Sequence, residues 1–133
     1  IPLGLDEIVA IPAHFLHAEG NFQFYDPRAR ILFSGDMGAS LVHHHEVTAP
    51  ITTLAEFHEH IRHMQGFHQR YMVSSKVCRY WVNMVRKMDI DAIVPQHGRW
   101  FQGKLAVNAF LDWIATLECG IDRFDQTNYK MPS

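Results

Sequence analysis

Three short apolar runs constrain this chain most, because each stops abruptly and each is followed by a side chain able to hold a metal. Asp6 to Pro12 (DEIVAIP) ends at proline and leads to His17. Ile31-Leu32-Phe33 ends at Ser34-Gly35-Asp36, and Ala92-Ile93-Val94 ends at Pro95, just ahead of His97. Runs this short, closed by Gly or Pro, read as buried strands rather than helices. Strand ends are rigid, and loops leaving one edge of a sheet converge on a common point. Two imidazoles and a carboxylate are a donor set suited to Zn, Fe or Mn. Taken singly, Asp36 is a turn residue, His97 a loop histidine and His17 a surface histidine; only their shared placement at strand ends makes them a candidate site.

The rest of the chain alternates strand and helix signals. Phe22 to Tyr25, the Asp26-Pro27 turn and Ile31 to Phe33 predict a hairpin. Thr53-x-x-Glu56 has the form of a capping box, followed by Leu54, Phe57, Ile61 and Met64 at helical spacing. Gly66 is read as an interruption, with a longer helix starting near Phe67 and running through Tyr71, Cys78, Trp81, Val82, Val85 and Met88. A last helix is expected over roughly Lys104 to Glu118, with Ala106, Phe110, Trp113, Ile114 and Leu117 on one stripe and Gly120 as its cap. Helices that bury one stripe, mixed with strands, imply a layered α/β domain. Residues 123–133 are polar and aperiodic and read as a tail or linker.

Composition narrows the function classes. The chain has 133 residues with 12 Lys+Arg against 14 Asp+Glu, a formal charge of -2, so nothing in the charge balance would hold a nucleic acid. At 47% hydrophobic it is rich enough to bury a core, yet no apolar run is long enough to span a membrane. Two cysteines, Cys78 and Cys119, make no disulfide scaffold and favour a reducing, cytoplasmic setting. Ten histidines are the anomaly, since imidazole is the commonest neutral metal ligand near pH 7. The sequence begins Ile1-Pro2-Leu3-Gly4 without Met and shows no signal-peptide pattern, as expected of a piece of a longer protein.

The strings His17-Ala18-Glu19-Gly20-Asn21, Leu32-Phe33-Ser34-Gly35-Asp36 and Val94-Pro95-Gln96-His97-Gly98 resemble, in that order, the second half of the metallo-β-lactamase superfamily. The long helix-filled gap before His97, with AHFLHAEGNFQFYDPRARILFSGD and FHQRYM, is most similar to the flavodiiron and oxygen-binding diiron branch. The resemblance runs from about Asp6 to Asp122. It implies half of an αββα sandwich over residues 1–122, one mixed sheet with helices on its outer face. It further implies that His17 binds one metal, Asp36 bridges both, and His97 binds the second. A bridging anion is physically required, because two nearby cations repel. His14, His68 and Tyr71 are then expected near the pocket, with Phe67 and Arg70 on the same helix, although ordinary helix packing explains the latter group equally well.

The family's first ligand cluster, His-x-[Glu/His]-x-Asp-His, is absent. His58-Glu59-His60-Ile61-Arg62-His63 has suitable chemistry in the wrong place, and His58 and Glu59 cannot share a helix face. That stretch is read as a wet helix or lid. His43-His44-His45 is read as a solvated loop, Cys78 as a buried hydrophobe, and Cys119 as a thiol exposed near a helix end. Alone the chain supplies at most two ligands per metal, so the missing N-terminal half of the fold is expected to complete the site, and the inner sheet face is expected to be covered by that segment or, as the second choice, by another copy of the chain. The function implied is a non-haem diiron protein that binds or reduces O2 or NO, as sensor or oxidoreductase. A homodimer is expected, and flavin is present only if a further domain or partner supplies it. The competing expectation is a dizinc metallo-hydrolase, and a third is an interaction module without chemistry. No nucleophile beside a base is found, so no catalytic residue is assigned.

Overall fold

The computed structural model describes residues 1–133. A small antiparallel pair, β1 (Pro2–Leu3) and β2 (Asp6–Glu7), precedes the main sheet. The main sheet holds β3 (Val9–Pro12), β4 (Phe22–Asp26), β5 (Ile31–Gly35), β6 (Ala92–Pro95) and β7 (Phe101–Gln102), ordered β3-β4-β5-β6-β7. Only β5 and β6 are parallel. A parallel neighbour needs a crossover, and here α1 (Leu54–Tyr71) and α2 (Ser75–Val85) lie on it. After β7 comes α3 (Lys104–Thr116).

All three helices pack on one face. Leu32, Ile93 and Phe101 point toward them and are wholly buried with Met64, Val82, Phe110 and Ile114. Phe101 and Phe110 stack with ring centroids 4.6 Å apart. Gln23 also faces the helices, and its side-chain oxygen accepts the Trp81 indole N–H at 2.9 Å. The opposite face lacks helices. Across it Phe24 pairs with Phe33 and Phe33 with Val94. Phe22, Phe24 and Phe33 are there 49%, 43% and 42% exposed, unusual for three neighbouring aromatics. The architecture is therefore the expected half sandwich: one mixed sheet, helices on one face, the other face bare.

Several local expectations need correction. The DEIVAIP run is divided, with Asp6–Glu7 in the small pair and only Val9–Pro12 in the main sheet. Gly66 does not interrupt a helix; α1 runs through it. Nothing lies within 4 Å of where its side chain would be, so its cost is the modest propensity penalty of a solvent-facing glycine. The break comes later, at Met72 to Ser74. There the Ser74 hydroxyl accepts the Val77 N–H at 3.1 Å and starts α2. Thr53 does cap α1, accepting the Glu56 N–H at 3.1 Å, but the Glu56 carboxylate reaches back to Thr52 rather than to Thr53's own amide. The last helix ends at Thr116, short of Glu118. Cys119 is not exposed: it is wholly buried, and its N–H donates to the Ser75 hydroxyl at 3.0 Å. From Ile121 onward every residue is exposed, although the Asp122 carboxylate still accepts the Ser75 N–H at 2.7 Å.

Candidate metal centre

Asp36 follows β5 and His97 follows β6, and the parallel pairing of those strands brings the two loops side by side. The loops are cross-linked. Gln96 N–H donates to the Gly35 carbonyl at 2.7 Å, and Ser40 N–H donates to the His97 carbonyl at 3.2 Å. A side chain at Gly98 would lie 1.8 Å from the Ser40 hydroxyl, and its φ is +86°, so glycine is required there. Arg99 fastens the same region, donating to the carbonyls of Ala49 (2.8 Å) and Pro50 (3.1 Å) and pairing with Glu56 at 3.3 Å.

His17 arrives from the β3–β4 loop. Leu16 anchors that loop in the core, and the Asn21 amide donates to the Leu16 carbonyl at 2.8 Å. The His17 Nε2 atom then stands 3.0 Å from one carboxylate oxygen of Asp36, while His97 Nε2 stands 3.8 Å from the other. Each oxygen of a single carboxylate thus faces a different imidazole. Asp36 is a quarter exposed, so the cluster opens to solvent at the rim of the sheet.

The chemistry of this donor set, two imidazoles and one carboxylate, suits metal binding, and His17, Asp36 and His97 are the residues that could hold metal. No three His, Cys, Asp or Glu side chains of this chain converge as a metal cage.

The expected pocket residues separate into two groups. Tyr71 lies beside His17, with ring centroids 5.6 Å apart, and Phe67 is 6.3 Å from the same ring. Both line a cavity of about 500 Å³ with His63, Arg62 and Arg70. His68 is wholly buried under the Asp36 loop. His14 is not brought to the cluster; it is exposed and packs edge-on against Phe22 at 5.1 Å. Nor is the 58–63 segment simply wet. His60 is buried against Phe101 with neither ring nitrogen partnered, and burial pulls its pKa down to about 4. His43, His44 and His45 are exposed, as a solvated tract should be. Ser40 and Arg99 have no sequence signal tying them to the site; their roles depend on contacts between distant segments.

Comparisons with known proteins agree on the fold. A structure titled "Peroxy diiron species of chemotaxis sensor ODP" superposes with a TM-score of 0.83 at 40% identity, covering 92% of this chain and 50% of that one. The apo state of chemotaxis sensor ODP from T. denticola gives 0.84 at 40% identity, covering 92% and 49%. The flavodiiron protein from Giardia intestinalis gives 0.70 at 18% identity, over 86% and 28%, and speaks to fold alone. This chain thus spans about half the length of the chemotaxis sensor structures it matches. No curated protein sequence matches it significantly. The family model for the ODP family beta lactamase matches residues 1–98, more than half of the chain, and the chain belongs to that family of the metallo-β-lactamase superfamily.

Proposed function

We propose that this chain is the second half of a non-haem diiron protein that binds or reduces O2 or NO, the sensor role being favoured over the oxidoreductase role. The observation carrying this reading is the position of Asp36 between His17 and His97, 3.0 and 3.8 Å away, on separate oxygens. The 40% identity to a chemotaxis sensor whose title names a diiron species supports iron. Ferrous ions held by His17, Asp36 and His97 together with ligands from the other half would supply the electrons for binding or reducing a diatomic gas. The residues of this chain do the rest. Asp36 offsets the repulsion between the two cations. Tyr71 and Phe67 pack their rings beside His17, 5.6 and 6.3 Å away, and orient its imidazole. Any flavin belongs to a further domain or partner.

The remaining ligands come from an N-terminal half of the same fold. That half would also cover the bare face carrying Phe22, Phe24 and Phe33. Leaving apolar surface wet costs roughly 25 cal/mol per Å², so a face of several hundred Å² rivals the ~5–15 kcal/mol stability of a small domain. Residues 1–122 form this half-domain and 123–133 its tail. We place the complete protein in the cytoplasm, as a homodimer. No helix is long and apolar enough to cross a membrane.

Metal analysis of the complete protein, purified without oxygen from iron-rich medium, tests the reading. Two irons per chain and a spectrum that changes on exposure to O2 or NO are expected. Two zincs and no iron would instead make it a dizinc hydrolase, with metal-bound hydroxide as nucleophile.

A further inference from the structure

Seven of the ten histidines are exposed, His17 and His97 among them facing Asp36, but His68 is wholly buried and has both ring nitrogens engaged. The Gly38 N–H can only donate, so His68 Nε2, 2.9 Å away, accepts and carries no proton. The proton is therefore on Nδ1, which donates to the Met64 carbonyl at 2.8 Å, one helical turn back. Trp113 and Phe67 hold the ring edge-on at 5.5 and 5.3 Å, so it cannot rotate away. His60 on the same helix is just as buried and has no partner at all. Burial of an imidazole in α1 thus does not by itself require the bonds that His68 makes.

Those bonds act on the Asp36 loop. Gly38 is two residues past Asp36, with φ +91°, and a Cβ there would lie 2.8 Å from the Phe101 ring. Phe101 blocks the loop on one side and His68 grips its amide on the other. The Ser34 hydroxyl donates to the Met37 carbonyl at 2.6 Å and closes the turn between them. The same helical turn presents Phe67 and Tyr71 to His17. One turn of α1 therefore registers His17 and the Asp36 loop against each other.

We propose that His68 is a positioning residue: as the neutral Nδ1–H tautomer it holds Gly38 and so aims both oxygens of Asp36 at the two metals. This rests on the dinuclear reading above. Such outer partners of metal ligands commonly change metal affinity by 10–100-fold.

The test uses the complete protein with His68→Gln, His68→Asn and His68→Leu, and His60→Leu as the burial control. Glutamine reaches Gly38 with an acceptor; asparagine offers an amide to Met64 but falls short of Gly38; leucine does neither. Metal content, thermal melting and the exchange coupling of the two ferric ions by Mössbauer spectroscopy are measured. The glutamine variant should keep two coupled irons, and His60→Leu should match the wild type in metal content and coupling. The asparagine and leucine variants should bind the second iron about 10–100-fold more weakly and lose coupling. A folded leucine variant with wild-type content and coupling overturns the proposal. If leucine prevents folding, equal coupling in the glutamine and asparagine variants overturns it instead. A wild type holding two zincs, with the second lost only in the asparagine and leucine variants, refutes the iron reading and upholds the positioning role. A wild type that binds no metal overturns both.

Discussion

At the end of the sheet where β5 and β6 begin, Arg30 and Lys104 pair with Asp91 at 2.6 and 3.2 Å, and Asp89 adds a further contact to each. At the end where the same strands stop, Asp36 has no Lys or Arg within ion-pair reach and is faced only by His17 and His97. The first cluster is matched in charge by its own side chains, and it holds the Asp91 carboxyl below the usual carboxylate range through the Arg30 and Lys104 bonds. The second is a carboxylate faced by two imidazoles, with no Lys or Arg beside it. Asp91 thus has cationic side chains beside it and Asp36 has none. The metal reading therefore depends on what Asp36 lacks as well as on what surrounds it.

The sharpest way to break this contrast is Asp36→Asn in the complete protein. It should abolish coupling between the two metals, because an amide cannot bridge cations as a carboxylate does. Two strongly coupled irons in that variant, seen by Mössbauer spectroscopy, would count against the bridging role.

Gly98→Ala comes next. A left-handed conformation costs a non-glycine residue about 1–2 kcal/mol, and the added carbon meets Ser40 at 1.8 Å. We expect a loss of at least about 2 kcal/mol in denaturant unfolding, with weaker metal binding through a displaced His97. The equivalent change at Gly66, which is open, should cost nothing and gain up to about 1 kcal/mol of helix propensity.

Acid should discriminate between the ends as well. Burial lowers the His68 pKa to about 4, against the smaller opposing effects of the Met64 carbonyl and Asp36. For His60, burial is aided by Arg99 and His63 and opposed by Glu46. Both folded values lie below the unfolded value of about 6.5, so the unfolded chain binds protons first and stability falls as pH drops from about 6.5 to about 4. Each histidine accounts for about 3 kcal/mol over that window, as an order of magnitude. Urea unfolding across that range should show the loss, and His60→Leu should remove about half of it.

The smallest effect belongs to the matched end. Asp91→Asn should leave metal content unchanged and move the melting midpoint only slightly, since exposed ion pairs are screened by water and salt. A large drop in metal content from that change would mean that the two ends are coupled through β5 and β6.

Strand positions were legible because the signals are local. Apolar runs closed by Pro or Gly place β3, β5 and β6 to within a few residues, and Asp26-Pro27 places the hairpin turn. Where α1 stops was not legible, because an exposed Gly66 and a capping Ser74 look alike until burial is known. The sides of the helices were partly hidden too. His60 and His68 have the polarity of a wet face, yet both go inside because α1 lies against Phe101 and α3.

The sequence by itself determined that three candidate ligands stand at the ends of three strands, since chain-breaking residues and their neighbours act over a few positions. Only the tertiary structure decided that β5 and β6 pair in parallel across two intervening helices, and so that Asp36 and His97 meet. It alone decided that His14 stays away, that Cys119 is buried, and that His68 grips Gly38. Those outcomes depend on packing between segments dozens of residues apart, whose energies no local pattern encodes.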